Sequence, residues 1–131
     1  MRAKDIGAYI VYKQSLVPAT RTTTGNGTGV DRQGFLSCKA VLDLGAASGT
    51  AATLDAKIQD SADNTTFADL AGATLAQVGG TSDNSVTVKD LDLSGAKRYL
   101  RAVATIAGTT PSFDCSVAFV LGGADVVPAA D

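Results

Sequence analysis

The sequence lacks histidine, glutamate and tryptophan altogether, and it contains only two cysteines. Without histidine, the chain lacks the side chain that most often acts as an acid, a base or a metal ligand near neutral pH. All 13 acidic residues are aspartate, which disfavours helix because its side chain competes for backbone hydrogen bonds. Threonine and valine are abundant, and both suit a pleated sheet. The composition therefore indicates a β-rich protein with few groups for catalysis.

The two cysteines, Cys38 and Cys115, lie far apart, and both fall on the apolar side of an alternating run. Because they do not form a CxxC pair, we expect neither a zinc site nor a redox site. We expect two small, buried and reduced side chains. A disulfide remains an alternative if the strands that carry them face each other.

The N-terminal segment is basic but not hydrophobic. No long apolar stretch follows Arg2 and Lys4, so we expect neither a signal peptide nor a membrane span, no membrane partner, and a protein kept in the cytoplasm. Residues 1–39 hold six basic and two acidic residues, whereas residues 40–131 hold five basic and eleven acidic ones. This asymmetry suits an extended N-terminal arm that lies on an acidic partner. The alternative, which we favour, is an ordinary scatter of solvated surface charges.

Apolar and polar residues alternate along several short runs, as they do in strands with one buried face. The clearest runs are residues 98–107 and 112–121, which are joined by Gly-Thr-Thr-Pro and predict a β-hairpin. In residues 85–93 the apolar phase changes, which predicts a β-bulge that moves the buried face along the strand. The residues assigned to that buried face are Val86, Val88, Leu91 and Leu93. In residues 35–44 the predicted inward face comprises Leu36, Cys38, Ala40, Leu42 and Leu44.

About eight such runs are separated by loops rich in glycine, asparagine, aspartate or proline. Their number and spacing predict an all-β fold, an antiparallel β-sandwich or jelly roll of about eight strands with an extended N-terminal arm. We divide the chain into residues 1–24, an arm or edge strand, residues 25–123, the sandwich, and residues 124–131, a C-terminal tail. Pro18 favours an edge position because it cannot donate to a ladder.

Paired aspartates are the obvious catalytic candidates in a chain without histidine. Asp90 and Asp92 lie on one strand, and Asp60 and Asp63 flank a turn, but none lies in apolar surroundings that would raise a pKa. Calcium prefers oxygen ligands in loops, and four residues offer them here: Asp60, Asp63, Asn64 and Asp83. Their spacing, however, matches no calcium-binding loop. We therefore expect no catalytic, metal-binding or cofactor-binding residue.

Two further segments carry weak signals for binding. Residues 25–29 hold three glycines but lack the features of a phosphate-binding loop, so they predict a mobile loop. Residues 97–101 place cations beside Tyr99, yet the body is acidic and offers too few aromatics for a nucleic-acid platform. We expect no nucleic-acid partner.

Residues 57–70 look like a strand-turn-strand segment that is common in carbohydrate-binding sandwiches. Sugar sites need exposed aromatics, and Phe67 is the only aromatic in this segment. The competing interpretation, which we favour, is a structural joint with Phe67 in the core.

Four segments, in this order along the chain, carry a resemblance to a known family: residues 52–61, 67–73, 97–103 and 108–113. Together they resemble small proteins encoded among the head genes of tailed bacteriophages, and the resemblance covers about residues 30–122. The family is that of capsid cement, or decoration, proteins of the jelly-roll type.

The resemblance implies a structural protein that binds the phage major capsid protein on the outer surface of an HK97-like head shell. It also implies bridging of neighbouring capsomers against internal DNA pressure, self-association as a homodimer or another oligomer, and no cofactor. Its location would be the virion, after synthesis in the bacterial host. Two alternatives remain: a carbohydrate-binding or adhesive sandwich on a phage tail or cell surface, and a head-tail connector or tail subunit.

The first 24 residues lie outside the resemblance, and a role for them in capsid binding is inferred from their composition. Aromatic and arginine side chains dominate interface energetics, and an edge strand can extend a neighbouring sheet. The candidate partner-binding residues are Arg2, Lys4, Tyr9, Ile10, Val11, Tyr12 and Lys13.

Overall fold

The computed structural model describes residues 5–129, which form one short 3₁₀ turn and eight β-strands. The turn, Ile6–Ala8, is capped by Asp5, whose side chain accepts a hydrogen bond from the backbone N–H of Gly7. The strands are β1 (Val11–Arg21), β2 (Gly25–Asn26), β3 (Val30–Asp31), β4 (Phe35–Ser61), β5 (Ala68–Thr74), β6 (Val78–Gly79), β7 (Ser85–Asp92) and β8 (Tyr99–Ala124).

Two long strands, β4 and β8, organise the fold. They have 27 and 26 residues and run antiparallel to each other along nearly their whole length. Their pairing continues through the middle of both strands, but its register shifts three times between Leu44 and Thr53 of β4. Opposite this region, β8 contains Gly108, whose φ is 115°. Each long strand therefore consists of two segments that meet at a corner.

The eight strands form one continuous sheet in which every pairing is antiparallel. The two segments of each long strand pair with different neighbours, so the sheet divides into two four-part layers, which we call the front sheet and the back sheet. The front sheet has the order β1, residues 112–124 of β8, residues 35–44 of β4, then β7. The back sheet has the order β2 with β3, residues 99–107 of β8, residues 53–61 of β4, then β5 with β6. This order is that of a jelly roll, so the predicted all-β sandwich is confirmed.

The predicted β-hairpin of residues 98–107 and 112–121 is wrong. Both runs lie in β8 and pair with β4, and they do so in different sheets. Gly108-Thr-Thr-Pro111 therefore turns the chain from one sheet to the other rather than back on itself. The alternating pattern identifies the strands and their buried faces, but it does not identify the neighbour of each strand.

One hydrophobic core lies between the sheets, and it contains inward-facing residues of both. Leu42, Val117 and Phe119 of the front sheet and Leu54 and Ile58 of the back sheet are all fully buried. Side chains of a strand alternate between its two faces, so these residues share the core while their chain neighbours face outward.

The inward phase differs from the prediction at the start of β4. Phe35 is 8% exposed and Leu36 is 50% exposed, so Leu36 does not belong to the core face as predicted. The backbone of Leu36 forms a hydrogen bond near the end of β4: its carbonyl accepts the N–H of Leu93 at 2.8 Å.

The predicted β-bulge in residues 85–93 is also wrong. β7 pairs with β4 without a register shift, from Ser85 opposite Leu44 to Asp92 opposite Ser37. Leu91 is buried on the inner face, whereas Val86 and Val88 are 63% and 49% exposed. The two valines therefore lie on the outer face of the front sheet, where the sequence pattern did not place them.

Residues 25–29, predicted as a mobile loop, are instead bound to the sheets. Gly25 and Asn26 form β2 and pair with Ala104 and Val103 of β8. The next residue, Gly27, donates its N–H to the carbonyl of Ala102 at 2.6 Å. Backbone pairing thus holds a segment that has few side chains to pack.

Both cysteines are free and buried, as the sequence predicts. Cys38 stands opposite Leu121, and Cys115 stands opposite Leu44. The two thiols are therefore offset by six positions along neighbouring strands, which is about 20 Å and too far for a disulfide.

Both thiols are expected to resist a thiol-specific reagent at pH 8 until the protein is unfolded. Burial, assisted by the nearby charge of Asp90, raises the pKa of Cys38 to about 12, and burial also raises the pKa of Cys115. Because the thiolate is the reactive form, a colorimetric titration should show almost no reaction in buffer and two thiols per chain in urea. Rapid reaction of the native protein would contradict this arrangement.

Candidate functional site

The candidate partner-binding residues of the N-terminal segment lie in different environments. Arg2 and Lys4 lie outside the described residues. Tyr9 and Ile10 follow the 3₁₀ turn and are half-buried. The carbonyl of Ala8 accepts a hydrogen bond from the N–H of Ala129 at 2.8 Å. The segment before β1 is therefore joined to the segment that follows β8.

Residues 11–13 belong to β1, and their side chains alternate between two surfaces. Val11 is 3% exposed and packs in the core, so it supports the strand and has no surface to offer a partner. Tyr12 is 61% exposed on the outer face of the front sheet, opposite Val120. Lys13 is half-buried and lines a groove on the other side. Tyr12 and Lys13 are thus available to contact a partner.

β1 is an edge strand. It pairs with β8 on one side, so half of its backbone N–H and C=O groups point away from the sheet. One of these groups, the carbonyl of Ser15, accepts a hydrogen bond from the N–H of Thr28. Register shifts follow after Gln14, and Pro18 lies further along. The regular part of this edge is therefore residues 11–14, which we call the β1 edge.

A groove of about 460 Å³ lies beside the β1 edge, between β1 and β3. Its lining residues are Val11, Lys13, Gln14, Gly29, Val30, Asp31, Gln33, Phe35 and Leu121. Asp31 forms an ion pair with Arg98 at 2.8 Å, and the hydrogen bond from Arg98 lowers the pKa of that carboxyl group. The groove thus combines an apolar floor with both signs of charge, and it can receive a side chain of a strand that pairs with the β1 edge.

Sequence reasoning missed the outer face of the front sheet, which is partly apolar. Val41 of β4 lies between Val88 of β7 and Ala118 of β8. One signal was available: Val41 falls on the polar phase of its run, so its outward position followed from the pattern. The outward position of Val88 did not follow, because the two apolar phases of residues 85–93 could not be ranked from sequence.

The aspartates that were weighed for catalysis or calcium have structural roles. Asp60 is 7% exposed, and its carboxylate accepts the N–H of Lys97 at 3.0 Å. Asp63 accepts the N–H groups of Thr65 and Thr66 at 2.9 Å, and these bonds lower its pKa to about 2. The described residues include no group of three or more histidine, cysteine or acidic side chains placed to hold a metal ion.

Two other candidate aspartates also bind within the chain. Asp83 accepts the N–H of Ala47 at 2.8 Å. Asp90 forms an ion pair with Lys39 at 2.6 Å.

Phe67 does not lie in the core, contrary to the favoured prediction. It is half-buried and absent from the core cluster. The guanidinium of Arg101 lies 4.2 Å from the centre of its ring, and Arg101 also donates to Gln59 at 2.9 Å. Arg101 therefore covers one face of the single aromatic ring that this segment could offer to a sugar.

The two arginines of residues 97–101 make contacts within the chain. Arg98 binds Asp31 and also lies 5.2 Å from the ring centre of Tyr99. Arg101 stacks on Phe67. These contacts use the side chains that a nucleic-acid platform would present to its ligand.

Comparison of the sequence with models of known protein families and with characterised proteins gives no match. In the part of the chain that the structure describes, no helix is long and apolar enough to cross a membrane. The functional argument accordingly depends on the residues and on the surfaces they form.

Proposed function

We propose that this protein is a capsid cement protein of a tailed bacteriophage, which binds the outside of an HK97-like head shell and bridges neighbouring capsomers. The four segments that resemble such proteins support the proposal, and so does the jelly-roll order of the strands. The observation that carries it is the β1 edge: backbone groups without a neighbouring strand, with exposed Tyr12 on one side and a groove on the other.

Cement of this kind needs no reaction, because stabilisation comes from surface buried across a junction between capsomers. A specific contact buries on the order of 1,200 to 2,000 Å² in total. A strand of the shell that pairs with the β1 edge would gain main-chain hydrogen bonds, and its side chains would meet the groove or Tyr12 alternately. Many copies on one symmetric shell would then multiply a modest affinity.

Several basic side chains of residues 1–39 already form hydrogen bonds or ion pairs within the chain. Arg32 donates to the carbonyl oxygens of Lys97 and Ala96, Arg21 donates to that of Val17, and Lys39 pairs with Asp90. Lys13, at the rim of the groove, is the basic residue of β1 that can meet an acidic group of a partner. Electrostatic attraction to the shell would therefore depend on Lys13 together with Arg2 and Lys4.

Removal of residues 2–10 combined with Tyr12→Ala and Lys13→Ala is expected to reduce occupancy on shells by at least about tenfold, since it removes the aromatic anchor and the basic groups. The strand stays complete because Val11, which packs in the core, is retained. Occupancy is measured by co-sedimentation with empty phage heads that lack the protein. Thr53→Ala, on the back sheet, is the control for an unrelated surface change.

Four outcomes would redirect the proposal. Wild-type occupancy by the folded N-terminal variant would exclude the β1 edge as the contact, and failure of the unaltered protein to bind heads would exclude cement. Glycan-array binding that depends on Asp63 and Phe67 would favour the carbohydrate-binding alternative. Ring assembly by the isolated protein would favour a connector or tail subunit.

A further inference from the structure

Asn26 and Gly27 form the single Asn-Gly pair of the sequence. In an unfolded chain such a pair is chemically unstable, because glycine has no side chain to hinder attack by its backbone nitrogen on the neighbouring side-chain amide. The other two asparagines, Asn64 and Asn84, are followed by threonine and serine, whose side chains slow this attack. Asn26 is therefore the asparagine of this chain that reacts most readily when the backbone is free.

The reaction is a deamidation that consumes water. The backbone nitrogen of Gly27 loses its proton to a solvent base and bonds to the Cγ atom of Asn26, and the amide nitrogen takes up a proton and leaves as ammonia. A five-membered succinimide ring remains, and water opens it at either carbonyl group. Position 26 then becomes aspartate or isoaspartate, and in isoaspartate the main chain passes through the former side chain.

The folded backbone opposes the closure of this ring. Asn26 lies in β2 and pairs with Val103 of β8, so its backbone is extended. The nitrogen of Gly27 reaches bonding distance of Cγ only when ψ of Asn26 leaves the extended region. The N–H of Gly27, which has to lose its proton, donates to the carbonyl of Ala102 at 2.6 Å. Pairing with β8 therefore blocks both the approach and the deprotonation.

Packing explains why glycine occupies position 27 in spite of this chemistry. A Cβ on Gly27 would lie 2.8 Å from the backbone carbon and from the carbonyl oxygen of Ser15. Both atoms belong to the backbone of β1, so no change of rotamer could make room for a larger residue. Thr28 holds β1 at this distance, because its N–H donates to the carbonyl of Ser15 at 2.6 Å. The fold thus requires the reactive pair and also protects it.

Protection of Asn26 comes from backbone pairing and not from burial. Its side chain is exposed, so water reaches the amide group in the folded protein. β2 has two residues, and so short a segment detaches more easily than the long strands beside it. The rate of reaction in the folded protein is then the rate in the detached state multiplied by the fraction of molecules in that state.

We propose that Asn26 is a deamidation site controlled by the fold, at which water forms aspartate or isoaspartate in molecules whose β2 has detached from β8. Isoaspartate adds one carbon atom to the main chain before Gly27, and this displaces Gly27 from the carbonyl of Ala102 and from Ser15. A chain that is modified while unfolded cannot rebuild these contacts, so its unfolding becomes irreversible. The proposal does not depend on capsid binding.

Peptide mapping by mass spectrometry tests the control by the fold. The intact protein is incubated in mildly alkaline buffer, with and without guanidinium chloride above its unfolding midpoint. We expect Asn26 to react at least about tenfold faster in the unfolded protein, because the detached state is a minor fraction of the folded one. Within the unfolded chain, Asn26 should react before Asn64 and Asn84. Electron-transfer fragmentation distinguishes isoaspartate from aspartate at position 26.

Refolding tests the consequence of the modification. As the unaltered protein ages in guanidinium chloride, the fraction that regains its native circular dichroism on dilution should fall in step with the isoaspartate at position 26. Asn26→Ser removes the reactive amide at an exposed position, and this matched control should refold fully after the same treatment. Freshly prepared Asn26→Asp carries the added charge on a normal main chain and should fold as well as the unaltered protein.

Each remaining outcome would overturn the proposal. Equal rates at Asn26 in folded and unfolded protein would show that pairing with β8 gives no protection, and earlier reaction of Asn64 or Asn84 would show that the Asn-Gly pair is not the preferred site. Equal loss of refolding by Asn26→Ser would place the damage elsewhere in the chain. Full refolding of protein that carries isoaspartate, or misfolding of fresh Asn26→Asp, would show that the added main-chain atom is not the cause.

Discussion

Replacement of Gly108 by alanine is expected to lower the free energy of unfolding by about 2–6 kcal/mol, combining backbone strain with overpacking. Gly108 has a φ of 115°, a conformation that side chains with a Cβ rarely adopt. A Cβ at this position would also lie 2.6 Å from the Cα of Ala52 and 2.8 Å from the carbonyl oxygen of Ala51. Both neighbours are backbone atoms of β4, so the clash cannot be relieved by a change of rotamer.

Gly72→Ala is the matched control. Gly72 also has a positive φ, of 74°, but nothing lies within 4 Å of the position that its Cβ would take. This variant should therefore show strain alone, at about 1 kcal/mol. Urea denaturation of both variants, followed by fluorescence or circular dichroism, measures the difference. Equal losses at the two glycines would show that the corner of β8 does not approach β4 closely.

The same corner shows why the sequence predicted strands better than it predicted their neighbours. Residues 98–107 and 112–121 were identified as strands, and Leu100 and Phe113 face the core as expected. Alternation records which side chains are buried, and this is decided by each strand separately. The identity of the neighbouring strand depends on contacts with β4, which is more than 35 residues away in the sequence, and no local signal encodes it.

The errors in assigning the buried face of residues 35–44 and 85–93 have a different cause. Phe35 and Leu36 are both apolar, and so are Val88 and Leu91, so each pair offers two possible core faces. The structure selects Phe35 and Leu91, because the register with neighbouring strands fixes one face of the sheet toward the core. The side chain that is not selected becomes exposed. Val86 and Val88 therefore form part of the outer face of the front sheet for a reason that only the tertiary structure supplies.

The candidate site was predictable only in part. The sequence predicted that residues 1–24 form an arm or an edge strand, and the structure places residues 11–13 in the edge strand β1. It could not show that Val11 belongs to the core while Tyr12 is exposed, since both are apolar neighbours in a short run. The groove beside β1 depends on β3, which the sequence did not identify as a strand.

Ser15 joins the two sheets beneath the β1 edge. Its side chain is 1% exposed, its hydroxyl donates to the carbonyl of Thr28 at 2.8 Å, and its oxygen accepts the N–H of Ala102 at 2.8 Å. Gly27 permits this approach, because a Cβ there would lie 2.8 Å from the backbone carbon of Ser15. The hydroxyl of Ser15, on a strand of the front sheet, thus provides the hydrogen-bond acceptor for the backbone N–H of Ala102, on a strand of the back sheet.

Ser15→Ala is expected to lower the free energy of unfolding by about 2–4 kcal/mol, because it leaves a buried N–H and a carbonyl without their partner. The loss should be accompanied by faster hydrogen exchange at the amide of Ala102, which a simple packing defect elsewhere would not produce. Ser37→Ala, at an exposed position of β4, is the control and should change stability by less than about 0.5 kcal/mol. If Ser15→Ala unfolds at the same urea concentration as the unaltered protein, the hydroxyl does not join the sheets. The β1 edge would then be held by its pairing with β8, by the packing of Val11 and by the backbone hydrogen bond from Thr28 to Ser15.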